Sequence, residues 1–290
     1  MKKILVPTDF SLPAENAAVY ALNLAKSISA NILLFNAIRI PANAPLAAQV
    51  NRPLVDYNTL KEEVTRELHE LSQKLKMDDT GASLPVYPAI QYKSQAGSVT
   101  TVVSHIFEQE KAFLVVMGLS GEGAVSRFFL GSNSRDLIDK ANFPVLLVPS
   151  NSKFNGIRKI AFATDLSEKD IEVIHCLAGF AAYFNAEILL AHVSENKAED
   201  AAHQRKLTAF LSDVTCKINY PHIYYRHINQ GDVDQGLDWL AEHGLIDILV
   251  MVHRHNNLIG DLFHRSHTQK VARHIDIPLL VYPGQGKYFF

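Results

Sequence analysis

The chain has 290 residues, of which 48% are hydrophobic and 20% charged, a balance typical of folded domains that argues against intrinsic disorder. Its formal net charge of −2 excludes an overall electrostatic bias towards nucleic acid or an anionic membrane, so we predict neither as a partner. The first residues lack the apolar core of a signal peptide, and later apolar runs fall short of the roughly 18 residues of a membrane span. These limits favour a cytoplasmic protein of about two domains.

Strand and helix patterns alternate along the first half of the chain. A short apolar run at 4–6 predicts a strand, and small apolar residues at helical spacing follow it over 17–28. A proline-rich segment at 39–58 is predicted to be a long loop. The same alternation predicts further strands at 31–38, 85–91, 112–117 and 144–148, and helices at 60–75, 99–107 and 134–141.

The second half of the chain repeats the first. The segment KKILVPTDFS at 2–11 matches RKIAFATDLS at 158–167, and FPVLLVP at 143–149 matches IPLLVYP at 277–283. Because both ends of one unit recur in order, we predict a tandem duplication with domains at 1–150 and 156–290, joined by a short polar linker. In the second copy we expect elements at 160–163, 168–184, 187–193, 199–217, 222–228, 232–243, 247–252, 267–275 and 278–282.

Apolar strands that alternate with helices predict an α/β fold, in which each half is a doubly wound parallel sheet covered on both faces. Ligands of such sheets bind beyond the carboxyl ends of the strands. Asp9 directly follows the first strand, and a glycine-rich stretch at 117–134 follows the fourth. Both are therefore expected at the ligand-binding edge.

The glycine-rich stretch has the chemistry of a phosphate site. Gly118 and Gly121 would let the backbone approach a ligand closely, and Gly131 precedes a predicted helix start at Ser132. A helix start presents unpaired N–H groups that bind phosphate, and Asp9 could accept a hydrogen bond from a sugar or base. The residues predict a nucleotide or phosphorylated ligand, although the chain contains neither a P-loop nor a GxGxxG fingerprint.

The glycine spacing resembles a known family. Two residues separate Gly118 from Gly121, nine separate Gly121 from Gly131, and Ser132 follows, as in the nucleotide-binding motif of the universal stress protein family. ILVPTDFS at the start and PVLLVP at the end of the first unit are also similar to that family. The resemblance implies two tandem doubly wound five-stranded parallel sheets of strand order 3-2-1-4-5, the adenine nucleotide alpha hydrolase-like fold.

The resemblance also implies a ligand and an internal interface. The fifth strands are apolar and lie at sheet edges in this topology, which favours an intramolecular pseudo-dimer through those strands and leaves a further homodimer open. ATP is the implied ligand of the first half, with any Mg²⁺ held by the phosphates. Asp9, Pro7 and Ala37 would hold the nucleoside, Met117 and Gly118 would lie along the ribose, and Gly121, Gly131, Ser132 and Asn133 would hold the phosphates.

The second half lacks the glycines. The positions that match Gly118, Gly121 and Gly131 hold Val252, His255 and Arg265, so we predict one nucleotide per chain. Four histidines near these positions are compatible with a zinc site, but no Cys or carboxylate joins them at ligand spacing. We interpret them as loop residues, with an anion site built from them and nearby arginines as the alternative: His253, His255, His264 and His267.

Three functions are consistent with these features. The protein could bind ATP as a sensor or regulator in the stress response, act as a slow ATPase or phosphotransferase, or serve as a nucleotide-free scaffold. The intact motif of the first half favours a nucleotide-binding role. The absence of a Walker lysine and of a general base beside the glycines favours binding over catalysis.

The two cysteines, Cys176 and Cys216, lie in predicted helices. Apolar residues flank both of them, so we predict that both are buried small hydrophobic residues. A disulfide is not expected with two cysteines in a cytoplasmic protein.

Overall fold

The structure, a computed structural model, describes residues 2–38, 57–77, 87–119, 132–194, 201–230, 233–254 and 276–284. The elements of the first half are β1 (Lys3–Pro7), α1 (Leu12–Ile28), β2 (Asn31–Ile38), α2 (Tyr57–Met77), β3 (Ile90–Ala96), α3 (Val99–Gln109), β4 (Leu114–Leu119), α4 (Ser132–Lys140) and β5 (Val145–Pro149). Those of the second half are β6 (Lys159–Ala163), α5 (Asp170–Ala182), β7 (Glu187–Ser194), α6 (Ala201–Lys217), β8 (Ile223–Asn229), α7 (Val233–His243), β9 (Ile248–His253) and β10 (Leu279–Pro283).

These strands form one continuous sheet of ten, in the order β3-β2-β1-β4-β5-β10-β9-β6-β7-β8. Neighbouring strands are parallel within each half, which confirms the α/β fold class and the order 3-2-1-4-5. The halves meet where β5 and β10 pair antiparallel, with Leu147 opposite Leu279. Because this one pairing is antiparallel, the strands of the two halves run in opposite directions, and their carboxyl ends lie at opposite ends of the strands of the sheet.

Strand side chains alternate between the two faces of the sheet, so apolar strands present apolar side chains on both faces. Helices cover both of these faces. Ile4 and Val6 pack in the core under α1 and α2, whereas Leu5 packs in the core under α3 and α4. α1 begins where Ser11 caps it: the Ala14 N–H donates to the Ser11 hydroxyl at 3.4 Å. In the described residues no helix is both long and apolar enough to cross a membrane.

The join between the halves is packed against the protein. The Asn16 amide donates to the carbonyls of Pro149 and Ser152, both at 3.0 Å. The Phe154 ring lies edge-on to Tyr20 with 5.2 Å between the ring centroids. The polar composition of 150–156 therefore does not produce a loose connection.

Several predicted features differ from the structure or lie outside the described residues. β3 begins at Ile90, so the strand predicted at 85–91 is wrong in position; as an edge strand beside β2, β3 does not need a continuous apolar run. Cys216 is exposed, because Phe210 and Val214 form the buried side of α6, so the prediction that it is buried is wrong. Cys176, on α5, is half-buried. Of the loop predicted at 39–58, residues 39–56 lie outside the described residues, and Tyr57 and Asn58 belong to α2 instead. The helix predicted at 267–275 also lies outside the described residues.

Candidate functional site

The loop after β1 presents an exposed carboxylate at the carboxyl edge of the first half. Pro7 ends the strand, and Phe10 adopts a left-handed conformation with φ of 62°. The Asp9 Oδ1 accepts hydrogen bonds from the Ser11 backbone N–H at 3.1 Å and the Ser11 hydroxyl at 2.6 Å. Asp9 is exposed, and its other oxygen, Oδ2, accepts no hydrogen bond from the described parts of the chain.

The predicted nucleoside and ribose residues lie on the strands beside this loop. Ala37 is near the end of β2, opposite Gln95 of β3, and Met117 lies on β4, opposite Leu147. Because β1, β2 and β4 are parallel neighbours, Pro7, Ala37 and Met117 reach the same edge of the sheet.

Gly118 has a packing role of its own. A Cβ built on Gly118 would lie 2.4 Å from the Pro13 carbonyl oxygen and 2.9 Å from the Ala14 nitrogen, both in the first turn of α1. From the sequence, we predicted only that this glycine lets the backbone approach a ligand. The structure shows that the start of α1 already requires a residue without a side chain here.

The predicted phosphate residues are described in part. Ser132 and Asn133 form the first turn of α4, and Ser132 is exposed. Gly121 and Gly131, and the neighbouring Arg127, lie outside the described residues.

A cleft of about 820 Å³ lies between the start of α3 and one side of α4, and its lining includes the carboxylate residue Asp136. Ser98 caps α3 by accepting the Thr101 N–H at 3.3 Å. Hydroxyl groups, an amine and two helix starts are donors that suit the oxygens of a phosphate chain. The cleft residues that carry this chemistry are Ser98, Thr101, Ser132, Asn133 and Lys140.

Sequence reasoning missed the α3 side of this cleft. Gly97 and Ser98 stand directly before a helical pattern, which is a helix-start signal that could have identified it. Gly97 has φ of +142°, and its N–H donates to the Ile38 carbonyl at 3.0 Å, which holds the loop against the end of β2.

The matching loop of the second half is already occupied by a side chain of the protein. Asp165 Oδ1 accepts the Ser167 N–H at 3.1 Å, as Asp9 accepts that of Ser11. Arg254, the residue after β9, donates to Asp165 Oδ2 and to Asp170 Oδ1. The Lys206 amine donates to the Asp165 carbonyl at 2.7 Å. The carboxylate that would face a nucleoside is thus bound to an arginine.

Asp170 explains why Arg254 is held in this position. Its side chain is buried, with 1% of the residue exposed, and the Thr164 hydroxyl donates to its Oδ2 at 2.7 Å. Burial raises the pKa of Asp170 to about 6, against the opposing effects of Arg254 and Thr164. A buried carboxylate needs a compensating partner, and Arg254 supplies the positive charge.

Of the four histidines interpreted as loop residues, one is described, and it lies in a strand instead. His253, at the end of β9, is buried, and its Nε2 lies 3.2 Å from Asp139 Oδ1 on α4. His255, His264 and His267 lie outside the described residues. Within the described segments, no group of three or more His, Cys, Asp or Glu side chains is arranged to hold a metal ion.

Comparison with known proteins identifies the family of both halves. The profile of the universal stress protein family matches residues 1–149 and, a second time, residues 156–283. The chain belongs to the universal stress protein family. A universal stress protein of Synechocystis sp. is 25% identical over 295 residues, which cover 97% of this chain and 100% of the relative.

Two further relatives agree with this assignment. A universal stress protein of Methanocaldococcus jannaschii is 30% identical over 152 residues, which are 52% of this chain and 84% of the relative. The crystal structure of a universal stress protein from Archaeoglobus fulgidus superimposes with a TM-score of 0.66 at 18% identity, over 97% of this chain and 98% of that one. At that identity the likeness shows the fold. This universal stress protein is thus a tandem member with two unequal candidate sites.

Proposed function

We propose that the first half binds ATP at the carboxyl edge of β1, β2 and β4, and that the protein acts as a nucleotide-dependent regulator in the stress response. The observation that carries this proposal is the state of the two matching aspartates. Asp9 is exposed and bonded only to its own loop among the described residues, whereas Asp165 is bound by Arg254. Only the first of these carboxylates can accept hydrogen bonds from a ribose without displacing a guanidinium.

The cleft supports the phosphate part of the proposal. Its volume of about 820 Å³ is within the usual range of small-molecule sites, which is roughly 300–1,000 Å³. Ser132 and Asn133 bring the first turn of α4 to it, and the positive end of a helix dipole favours anions. In this proposal Asp9 orients the nucleoside and α4 holds the phosphates.

Binding without turnover is the simplest use of such a site. A ligand that binds one conformation better than another shifts the protein towards it, and this requires no general base. Family membership supports a role in stress, and a cytoplasmic location would expose the site to the cellular ATP pool. Mg²⁺ would accompany the nucleotide through its phosphates.

The test compares matched substitutions in the two halves. Asp9→Asn keeps the side-chain shape and its Oδ1 acceptor but replaces the second oxygen with a donor, so we expect ATP affinity in equilibrium dialysis to fall about tenfold. Asp165→Asn, the matched control, should leave ATP affinity unchanged. Equal losses in the two variants, or no ATP binding by the unmodified protein, would overturn the proposal.

A second measurement separates the regulator from an enzyme. The bound nucleotide is incubated with Mg²⁺ and then identified by chromatography after denaturation of the protein. We expect ATP to persist at about one per chain. Steady accumulation of ADP that Asp9→Asn reduces would instead support an ATPase or phosphotransferase.

A further inference from the structure

The sulfur of Met117 lies beside a buried hydroxyl at the candidate nucleotide site. Met117 is on β4, directly before Gly118, and its half-buried side chain packs against the core under α3 and α4. The Ser134 hydroxyl, on α4, donates to the Met117 Sδ at 3.6 Å. Ser134 itself is 5% exposed, so the packing of α4 holds its hydroxyl in place. Met117 therefore keeps one side in the core while part of the residue remains open to solvent.

A methionine of the second half occupies the matching position without this exposure. Met117 pairs with Leu147 of β5, and Met251 pairs with Val281 of β10 at the corresponding place. Met251 is 7% exposed and belongs to the buried core. Met77, at the end of α2, is 77% exposed. The methionines of the described segments thus range from buried to open, and the matched pair differs in access to solvent.

Access to solvent determines which thioether a peroxide can oxidise. In the reaction with hydrogen peroxide, the sulfur lone pair forms an S–O bond as the O–O bond breaks. The hydroxide that is released takes up the proton of the transferred oxygen and leaves as water. Sulfur loses two electrons and the peroxide gains them, so methionine sulfoxide and water are the products. We expect this reaction at Met77 and Met117, and much less of it at Met251.

Oxidation changes the surface that Met117 presents to a ligand. Methionine sulfoxide is polar, whereas the thioether is apolar and polarizable. The sulfoxide oxygen is a stronger acceptor than sulfur, so the Ser134 hydroxyl can donate to the oxidised side chain as well. In the proposed ATP site Met117 lies along the ribose, where an added oxygen takes up space and loses water when the ligand binds. The oxidised protein should therefore bind ATP more weakly.

We propose that Met117 is a site of reversible oxidation, and that its conversion to the sulfoxide weakens ATP binding by the first half. The effect on affinity rests on the proposed function, whereas the selective oxidation of Met117 over Met251 rests on their exposure alone. The oxidant is a hydroperoxide, and the reverse reaction is that of a methionine sulfoxide reductase. The second half, with its buried Met251, lacks this response.

The first experiment locates the oxidised residues of the full-length protein by peptide mass spectrometry after a short treatment with hydrogen peroxide. We expect the sulfoxide at Met77 first and at Met117 next, while Met251 stays unmodified. Saturating ATP should slow the reaction of Met117 and leave that of Met77 unchanged, because the bound nucleotide covers only Met117. Oxidation of Met251 as fast as that of Met117, in protein whose circular dichroism is unchanged, would overturn the oxidation site.

The second experiment measures ATP affinity by equilibrium dialysis before and after the same treatment, so that each variant is compared with itself. Oxidation should weaken binding about tenfold in the unmodified protein and in the control Met77→Leu, and a reductase should restore it. In Met117→Leu, where a hydrocarbon of similar volume replaces the thioether, the treatment should have no effect. Peroxide also reaches the exposed Cys216, and an equal loss in Met117→Leu would assign the effect to such another residue and contradict the proposal.

The two measurements distinguish failure of this proposal from failure of the proposed function. If the unmodified protein does not bind ATP, the proposed function fails together with the effect on affinity, and the mass spectrum still decides whether Met117 is oxidised in preference to Met251. If ATP binds equally well before and after complete oxidation of Met117, the ATP site stands and the effect of oxidation is refuted.

Discussion

The loops after β1 and β6 share a backbone conformation, but their aspartates have different side-chain partners. Phe10 and Leu166 have φ angles of 62° and 61°, and each loop turns an aspartate Oδ1 onto a serine N–H at 3.1 Å. Asp9 is nonetheless exposed, whereas Asp165 is bound by Arg254. Duplication therefore preserved the geometry of the loop, and a side chain from elsewhere in the chain changed the surroundings of its aspartate.

Asn36 on β2 and His192 on β7, at matching positions of the two halves, also make the same contact with different side chains. The Asn36 amide donates to the Thr8 carbonyl at 2.9 Å, and His192 Nδ1 lies 2.9 Å from the Thr164 carbonyl. The two side chains hold the same loop in place. The histidine, however, can also be protonated, so the second half gained an ionisable group at a position where the first half has an amide.

Among changes that remove the difference between the two loops, Arg254→Met is expected to have the largest effect on stability. This change leaves the buried Asp170 without its cation, which should lower the free energy of unfolding by about 3 kcal/mol at pH 7.5, as measured by urea denaturation. The double variant Arg254→Met/Asp170→Ala removes the buried carboxylate as well, with alanine at 170 as at the matching Ala14, and should recover most of that loss. Equal stability of the single and double variants would show that Arg254 does not compensate Asp170.

A smaller effect is expected where the halves differ at the end of the fourth strand. Gly118→Ala places a methyl group against the Pro13 carbonyl and should lower the free energy of unfolding by about 1–3 kcal/mol. Val252→Ala, at the matching position of β9, removes volume from a half-buried side chain and should lower it by about 1 kcal/mol or less. If Gly118→Ala keeps full stability and only weakens ATP binding, this glycine serves the ligand and not the packing of α1.

The smallest effect is a pH dependence confined to the second half. Burial raises the pKa of Asp170 from 3.8 in the unfolded chain to about 6 in the folded protein. The folded state therefore binds more protons between these values, and this group's contribution to stability falls as the pH rises from about 4 to 6. Urea denaturation across that range should show that the free energy of unfolding of the unmodified protein falls by about 1–2 kcal/mol relative to that of Asp170→Ala. A difference between the two that grows in the opposite direction would contradict the raised pKa.

Local patterns predicted most of the fold. The apolar run NILLFNAI gave a strand at Asn31–Ile38, as expected, because strands buried on both faces must be apolar throughout. β3 was misplaced because an edge strand has weaker hydrophobic requirements. The described site residues Asp9, Met117 and Ser132 lie at one edge of the sheet, and the start of α3 beside them was overlooked.

The sequence by itself determined the duplicated α/β units, the family, and the carboxyl-edge positions of the aspartates, because these follow from periodicity and from short motifs within one unit. Only the tertiary structure decided that Arg254 reaches Asp165 across 89 positions and that Gly118 faces the first turn of α1. Each of these contacts joins elements that are distant in the chain. Their occurrence depends on how strands and helices pack in three dimensions, which no local pattern of residues specifies.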